Sequence, residues 1–335
     1  MDIVTFDRIA IDHLGTVFRN EGSLMKNTKV MTEGAIFAAI FALIAFLTVF
    51  LPILGSILLW ILPVPFIVYT VRNGWKAGLM LWVVASFVSF TIGGVVLILS
   101  AIIFGSSGIV VGELYRRKKS AFTVLFGGSL AYISNLILYF ILSIVVLDLH
   151  PIKVIQELMR DSVQTAESML LAIGQDPGKQ LEPLIDFIDR LMFLAPSLII
   201  TTGVFFALFV QVIAYAILKR IGEKVAPFKP FREWAFPKSF LWYYLVTSIF
   251  ILVGLEEGTA LYMVMWNLFP LLEIAMTIQG LAVIMFYCHA KGFNKSIPIG
   301  IIIVTLIAPF LLYIYRILGI IDLGFELRKR IKNSN

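Results

Sequence analysis

Residues 76–115 read KAGLMLWVVASFVSFTIGGVVLILSAIIFGSSGIVVGELY, an apolar stretch that decides the fold. As one helix at 1.5 Å per residue it would be roughly 60 Å long, twice what a bilayer accommodates. It must therefore fold back, and Gly93-Gly94 near its middle is the natural place for the reversal. Outward from it lie further apolar blocks of similar span length at 33–51, 56–71, 122–147, 193–218, 240–255, 259–289 and 297–315. Of the 335 residues 60% are hydrophobic and 14% charged, with a mean hydropathy of +0.96. A soluble domain carries about 25% charged residues, so a soluble globule is excluded. Continuous blocks rather than alternation point to an all-α polytopic transmembrane bundle, not a β-barrel.

The sequence predicts about nine membrane segments. Pro52 and Gly55 mark a turn between the first two blocks, and Pro63 and Pro65 interrupt the second. Residues 148–190 form the longest polar segment. There Ile155, Met159, Ser162, Ala166, Met169 and Ile173 recur at helical spacing, the Asp176-Pro177-Gly178 turn follows, and Leu184, Ile188 and Leu191 make a shorter stripe. This reads as an amphipathic helical hairpin on or over the membrane. Asn267 and Pro270 predict a bent or broken helix in the 259–289 block, and Ile320, Leu323, Leu327 and Ile331 predict an interfacial amphipathic tail.

Lys and Arg positions set the orientation. With the amino terminus cytoplasmic, the inner loops hold Arg72 and Lys76, Arg116 to Lys119, the basic run from Lys219 to Lys238, and Lys291 and Lys295, while the acidic hairpin and Glu256-Glu257 lie outside. A ninth crossing puts the basic tail outside, which breaks the pattern unless the last block is re-entrant or the broken eighth segment changes the parity. The expected organisation is a cytoplasmic segment at 1–30, five helices at 31–147, the extracytoplasmic hairpin at 148–192, further helices at 193–316 and the interfacial tail at 317–335. Residues 1–24 are polar and lack a signal-peptide core. Glu21-Gly22 is what a purine-rich ribosome-binding site would spell if translated, so Met25 is read as the physiological start.

Several motifs carry a resemblance. They are Thr32-Glu33-Gly34-Ala35, Leu62-Pro63-Val64-Pro65-Phe66 with Arg72-Asn73-Gly74-Trp75-Lys76, Gln279-Gly280-Leu281-Ala282, and Leu318-Gly319-Ile320-Ile321-Asp322 with Glu326-Leu327-Arg328. In order and spacing, over about residues 25–330, they resemble the YybS family of bacterial membrane proteins, a family of unknown molecular function. The first five helices are also distantly similar to the substrate-binding S components of energy-coupling-factor transporters. That resemblance implies small-solute binding and docking to a membrane coupling subunit through small residues on the first helix, here Gly34, Ala38 and Ala42.

Each candidate site has two readings. The Gly34, Ala38, Ala42 stripe serves either intramolecular packing or docking to a partner. Pro63-Val64-Pro65 is a kink, with or without a cavity that its freed carbonyls line. Asn135, Asn267, Glu273 and Gln279 are the polar residues set most clearly inside apolar blocks, and Glu273 is the foremost candidate for a ligand or proton site. The other reading is that each bonds a neighbouring helix. On an unbroken helix Asn267 and Gln279 lie about 120° to either side of Glu273, at 100° per residue.

Catalysis has no support: zinc-protease, nucleophile-elbow and phosphate-loop motifs are absent from the sequence. The lone cysteine, Cys288, and three scattered histidines leave no metal or cofactor site to expect. The +6 charge, 27 basic against 21 acidic residues, fits inner loops facing anionic headgroups rather than nucleic acid. The sequence thus predicts a non-enzymatic, multi-pass protein of the cell membrane. Its leading function is a transport-related component that binds a small solute and docks a membrane partner. The alternative is a scaffold or regulatory partner in envelope or sporulation processes.

Overall fold

The computed structural model describes residues 28–294 and 296–333, so the expectation about residues 1–24 and Met25 lies outside the described residues. Every element of any length is a helix, and no strand occurs among the described residues. In chain order these are α1 (Thr28–Phe50), α2 (Pro52–Leu58), α3 (Val64–Asn73), α4 (Trp75–Arg116), α5 (Ala121–Val145), α6 (Pro151–Ala172), α7 (Gly178–Arg220), α8 (Ser239–Val253), α9 (Ala260–Ala290), α10 (Ser296–Ile307), α11 (Leu311–Phe325) and α12 (Leu327–Asn333). Helices α1, α4, α5, α7 and α9 contain runs long and apolar enough to cross a bilayer. Their outward faces carry residues such as Val83, Phe87, Phe126 and Phe205, which only lipid would cover without penalty.

Helix α4 reverses at Gly93-Gly94, as the sequence predicts. Both residues leave the helical region, and Gly94 takes φ 61° with ψ −143°, a conformation that side chains resist. The two limbs then run back along each other. Trp82 Nε1 donates to the Ala101 carbonyl at 3.0 Å, and Gly78 lies against Ile109. Both pairs are nearly symmetric about the glycines.

Two compact units make up the chain. One comprises residues up to Ile141 together with Thr202–Pro227, the other Leu142–Thr201 with everything from Phe228 onward. In the first, α3 lies directly on the second limb of α4. A Cβ at Gly108 would stand 2.8 Å from the Pro63 carbonyl oxygen, and one at Gly112 would stand 2.8 Å from that of Ile67. Asn135 ties α5 to the same limb, accepting from Ser106 Oγ at 3.1 Å and donating to Ser107 Oγ at 3.0 Å. The core between these helices is built from Phe41, Leu62, Phe66, Ile67, Leu97, Tyr132 and Leu218.

Three expectations are corrected, and of the two readings of the first-helix stripe the structure shows the packing one. Pro63 and Pro65 do not kink a helix: the chain turns at residues 59–63, Pro63 caps α3 and Pro65 sits in its first turn, where a missing N–H costs nothing. Gly55 is not in a turn but inside α2, where a Cβ would strike the Thr48 carbonyl. The Gly34, Ala38, Ala42 stripe turns inward. Ala38 and Ala42 are buried, and a Cβ on Gly34 would meet Tyr69 Oη at 2.8 Å, so close packing inside the unit uses these small residues. Helix α9 is unbroken despite Pro270, so Asn267, Glu273 and Gln279 point in three directions.

The second unit brings two further differences. In α6 the covered stripe is Ile152, Gln156, Met159, Val163, Ala166 and Leu170, while Ile155, Met169 and Ile173 are exposed. Its partner is the start of α7: Gln156 Nε2 donates to the Ile188 carbonyl at 2.7 Å and Arg160 pairs with Asp189. The hairpin is therefore present with its contact stripe rotated. The 297–315 block divides at Pro309 into α10 and α11, neither as long as a span. Residues 317–325, expected as interfacial tail, instead belong to α11 and pack on α9.

At the α4 reversal, Gly94→Val is expected to lower stability by about 1–3 kcal/mol, because a β-branched residue resists the Gly94 dihedrals. Gly300→Ala, inside α10 with an added Cβ that meets nothing within 4 Å, is expected to raise it by about 0.4–1 kcal/mol. Thermal unfolding in detergent checks the pair.

Candidate functional site

The motifs that carry the family resemblance, far apart in sequence, converge on one polar cluster in each unit. In the first, Glu33 accepts from Arg72 Nη1 at 2.9 Å and Asn73 Nδ2 at 3.1 Å, and Arg72 also faces Glu223 at 3.6 Å. Tyr69 Oη donates to the Val30 carbonyl at 3.0 Å, so the end of α3 is fastened to the start of α1. An open, largely apolar recess of about 270 Å³ adjoins them, lined by Pro65, Phe37, Ile44, Val68 and Ile217 with Arg72 at its edge.

The second cluster is the more buried. Helices α9 and α11 cross so closely that a Cβ on Gly280 would stand 1.7 Å from the Tyr315 carbonyl oxygen, and one on Gly319 would stand 2.0 Å from that of Met276. Beside this crossing Gln279, 1% exposed, donates to Asp322 Oδ2 at 2.6 Å and accepts from the Phe236 N–H at 2.9 Å. Asp322, 5% exposed, also receives Arg328 Nε at 2.9 Å and the Arg328 N–H at 3.2 Å. Arg328 Nη1 donates to the carbonyls of Trp234 at 2.7 Å and Arg232 at 3.4 Å. One carboxylate thus holds a guanidinium and a carboxamide that together satisfy the backbone of a loop with Pro230 and Pro237, which has only the single 3₁₀ turn Phe231–Glu233 of its own. Trp234 packs within that loop against Phe228 and Phe231, its ring tilted to both.

The other candidates fall elsewhere. Asn267 bridges one rung of α7: its Oδ1 accepts from the Ser197 N–H at 3.0 Å and its Nδ2 donates to the Phe193 carbonyl at 2.8 Å. Those two groups are an i, i−4 pair at Pro196, whose ring crowds the helical ladder. Glu273 pairs with Arg316, both largely covered, and the Arg316 guanidinium lies 5.0 Å from the Tyr313 ring centre. Arg316 Nε is buried with no hydrogen-bond partner among the described residues. Asn135 is held within the first unit. Sequence reasoning passed over Arg316, Asp322 and Arg328 because it placed them at or beyond the last span. It also passed over Gln211, which is buried in α7 and donates to the Ala121 carbonyl at 2.8 Å; its position inside the 193–218 apolar block was the available signal.

Removing one partner of a buried pair leaves an uncompensated charge, so Arg328→Gln is expected to cost about 3–5 kcal/mol. Asp322→Asn combined with Arg328→Gln is expected to cost clearly less than the sum of the two single changes, as read from unfolding midpoints in a double-mutant cycle.

Comparison with known proteins agrees with the motifs. The chain is 33% identical over 310 residues to the uncharacterized protein YybS of Bacillus subtilis (strain 168), an alignment that covers 92% of this chain and 100% of that protein. No solved structure matches it. The family model described as predicted membrane protein DUF2232 matches residues 39–323, which takes in Glu273, Gln279 and Asp322, and the chain belongs to that family.

Proposed function

We propose that this protein is a non-enzymatic, transport-related component of the cell membrane, S-component-like in its amino-terminal half, that binds a small solute beside the Glu273–Arg316 pair. The proposal includes about nine membrane segments, the last of them re-entrant, with a cytoplasmic amino terminus and an extracytoplasmic hairpin, because the distribution of Lys and Arg then keeps the basic loops and the basic tail inside. The observation that carries it is the unpartnered Arg316 Nε. A charged pair inside an apolar bundle is expensive and marks a solute or ion path by default. A buried donor left without an acceptor costs a further 1–3 kcal/mol or so, which an oxygen of a bound solute would relieve. The solute class this fits is a small molecule with a carboxylate or carbonyl oxygen.

A second reading, a membrane scaffold or regulatory partner in envelope or sporulation processes, is favoured by α6. Its residues Ile155, Leu158, Met169 and Ile173 form an exposed apolar face beside the face that α7 covers. A partner protein would cover it.

Native mass spectrometry of the protein purified from its own membranes separates the two. On the transport reading a small-molecule adduct is retained by the unaltered chain, lost by about tenfold in Arg316→Gln, the size of one lost charge-assisted hydrogen bond, and strengthened in Glu273→Gln, which frees the guanidinium of its competing carboxylate. Equal adducts in all three, with a co-purifying protein that disappears when residues 148–190 are deleted, would support the scaffold instead.

A further inference from the structure

At the junction of α8, α11 and α12 the structure gathers basic residues into an open recess of about 320 Å³, lined by Lys238, Lys329 and Arg330 with Glu326, Phe325 and Gly324. Glu326 organises it. The residue adopts a left-handed conformation, φ 52° and ψ 49°, that ends α11, and its carboxylate draws in Lys238 Nζ at 2.5 Å and Lys329 Nζ at 2.6 Å. The hydrogen bond from Lys238, followed by that from Lys329, holds the Glu326 carboxyl down at about 2, so it stays ionised at ordinary pH. One negative charge cannot balance three positive ones. Arg330 has no carboxylate partner among the described residues and is exposed, and Arg328 next to it is already matched by Asp322.

The surroundings grade from charged to apolar along one helix. Lys238 precedes α8, Trp242 and Tyr243 stand exposed one turn further on, and Leu245, Val246 and Ile249 continue the exposed face beyond them. Phe325 adds a further exposed ring at the recess. Cation, aromatic and aliphatic surfaces in that order match the phosphate, glycerol and acyl regions of one phospholipid. A free phosphate would use the cations alone and leave the aromatic and aliphatic surfaces without a role.

We propose that this recess is a binding site for the phosphate of an anionic phospholipid, held by Lys238, Lys329 and Arg330 with its acyl chains along α8. The site is independent of the solute proposed at Arg316. It would anchor α11 and α12, and with them the Asp322–Arg328 pair, to the membrane surface.

The test uses the full chain in detergent with phosphatidylglycerol or phosphatidylcholine of the same acyl chains, read by native mass spectrometry and by thermal stability. Phosphatidylglycerol is expected to be retained over phosphatidylcholine, and Lys329→Gln with Arg330→Gln to reduce that preference by about fivefold for each cation removed. Lys119→Gln with Lys224→Gln, which removes the same charge elsewhere, is expected to leave it unchanged. Equal retention of the two lipids by the unaltered chain would overturn the proposal, and needs no variant to fold. So would an equal loss of preference in both double variants. Stabilisation by inorganic phosphate as large as that by phosphatidylglycerol would overturn the lipid as occupant.

Discussion

A backbone N–H or carbonyl that faces hydrocarbon has no water to bond, so each must be satisfied within the protein. The same holds where protein packing shuts water out, and in the non-helical segment before α8 the backbone groups that meet α9 and Arg328 are served by side chains. With prolines at 230 and 237 the segment cannot supply its own ladder. The Phe236 N–H goes to Gln279, and the carbonyls of Trp234 and Arg232 take Arg328. Arg328 is tolerable there only because Asp322 neutralises it, and Asp322 can reach both Arg328 and Gln279 only because α9 and α11 cross in near backbone contact at Gly280 and Gly319. Asn267 meets the same constraint at Pro196, where its carboxamide serves one rung of α7.

The first unit depends on close approach for a different purpose. Lipid tails are as apolar as leucine, so helices gain little by hiding apolar surface and associate through packing and shared polar contacts. Gly108 and Gly112 let the second limb of α4 close on α3 at the carbonyls of Pro63 and Ile67, and Gly34 lets α1 close on the Tyr69 side chain. Small residues that look like a docking stripe on a lone helix are thus consumed at home. A stripe signals that two backbones meet, and nothing in it distinguishes a neighbour in the same chain from a second protein.

This separates what could be read in the sequence from what could not. Length against bilayer thickness fixed the α4 reversal, and the polar break at 148–190 fixed the hairpin, because both follow from one-dimensional quantities. Rotation about a helix axis does not: α6 carries apolar residues over half its circumference, and Ile155 and Ile152 are equally credible core residues until α7 chooses one side. Proline was misread for a related reason. Pro63 and Pro65 start a helix and Pro270 stays inside one, although the same missing donor is present in all three. Asp322 is legible in the sequence only as the end of the Leu318–Asp322 motif, because its burial depends on Gly319 letting α11 meet α9 in near backbone contact.

The two acid–arginine pairs of the second unit, one with a buried carboxylate and one half-buried, make the closing distinction. Asp322 accepts from the side chain and backbone of Arg328 and from Gln279, and Arg328 spends its remaining donors on two loop carbonyls. A network saturated in this way rigidifies what it joins and has no capacity left for a ligand. Glu273 on α9 and Arg316 on α11 lie in the same unit, yet Arg316 keeps a buried Nε without an acceptor among the described residues. Unsatisfied buried donors are rare in native structures and require a reason. Two acid–arginine pairs in one unit therefore differ: the saturated one joins α11 to α12 and to the loop before α8, and the unsaturated one is where the proposed solute would find a donor to complete.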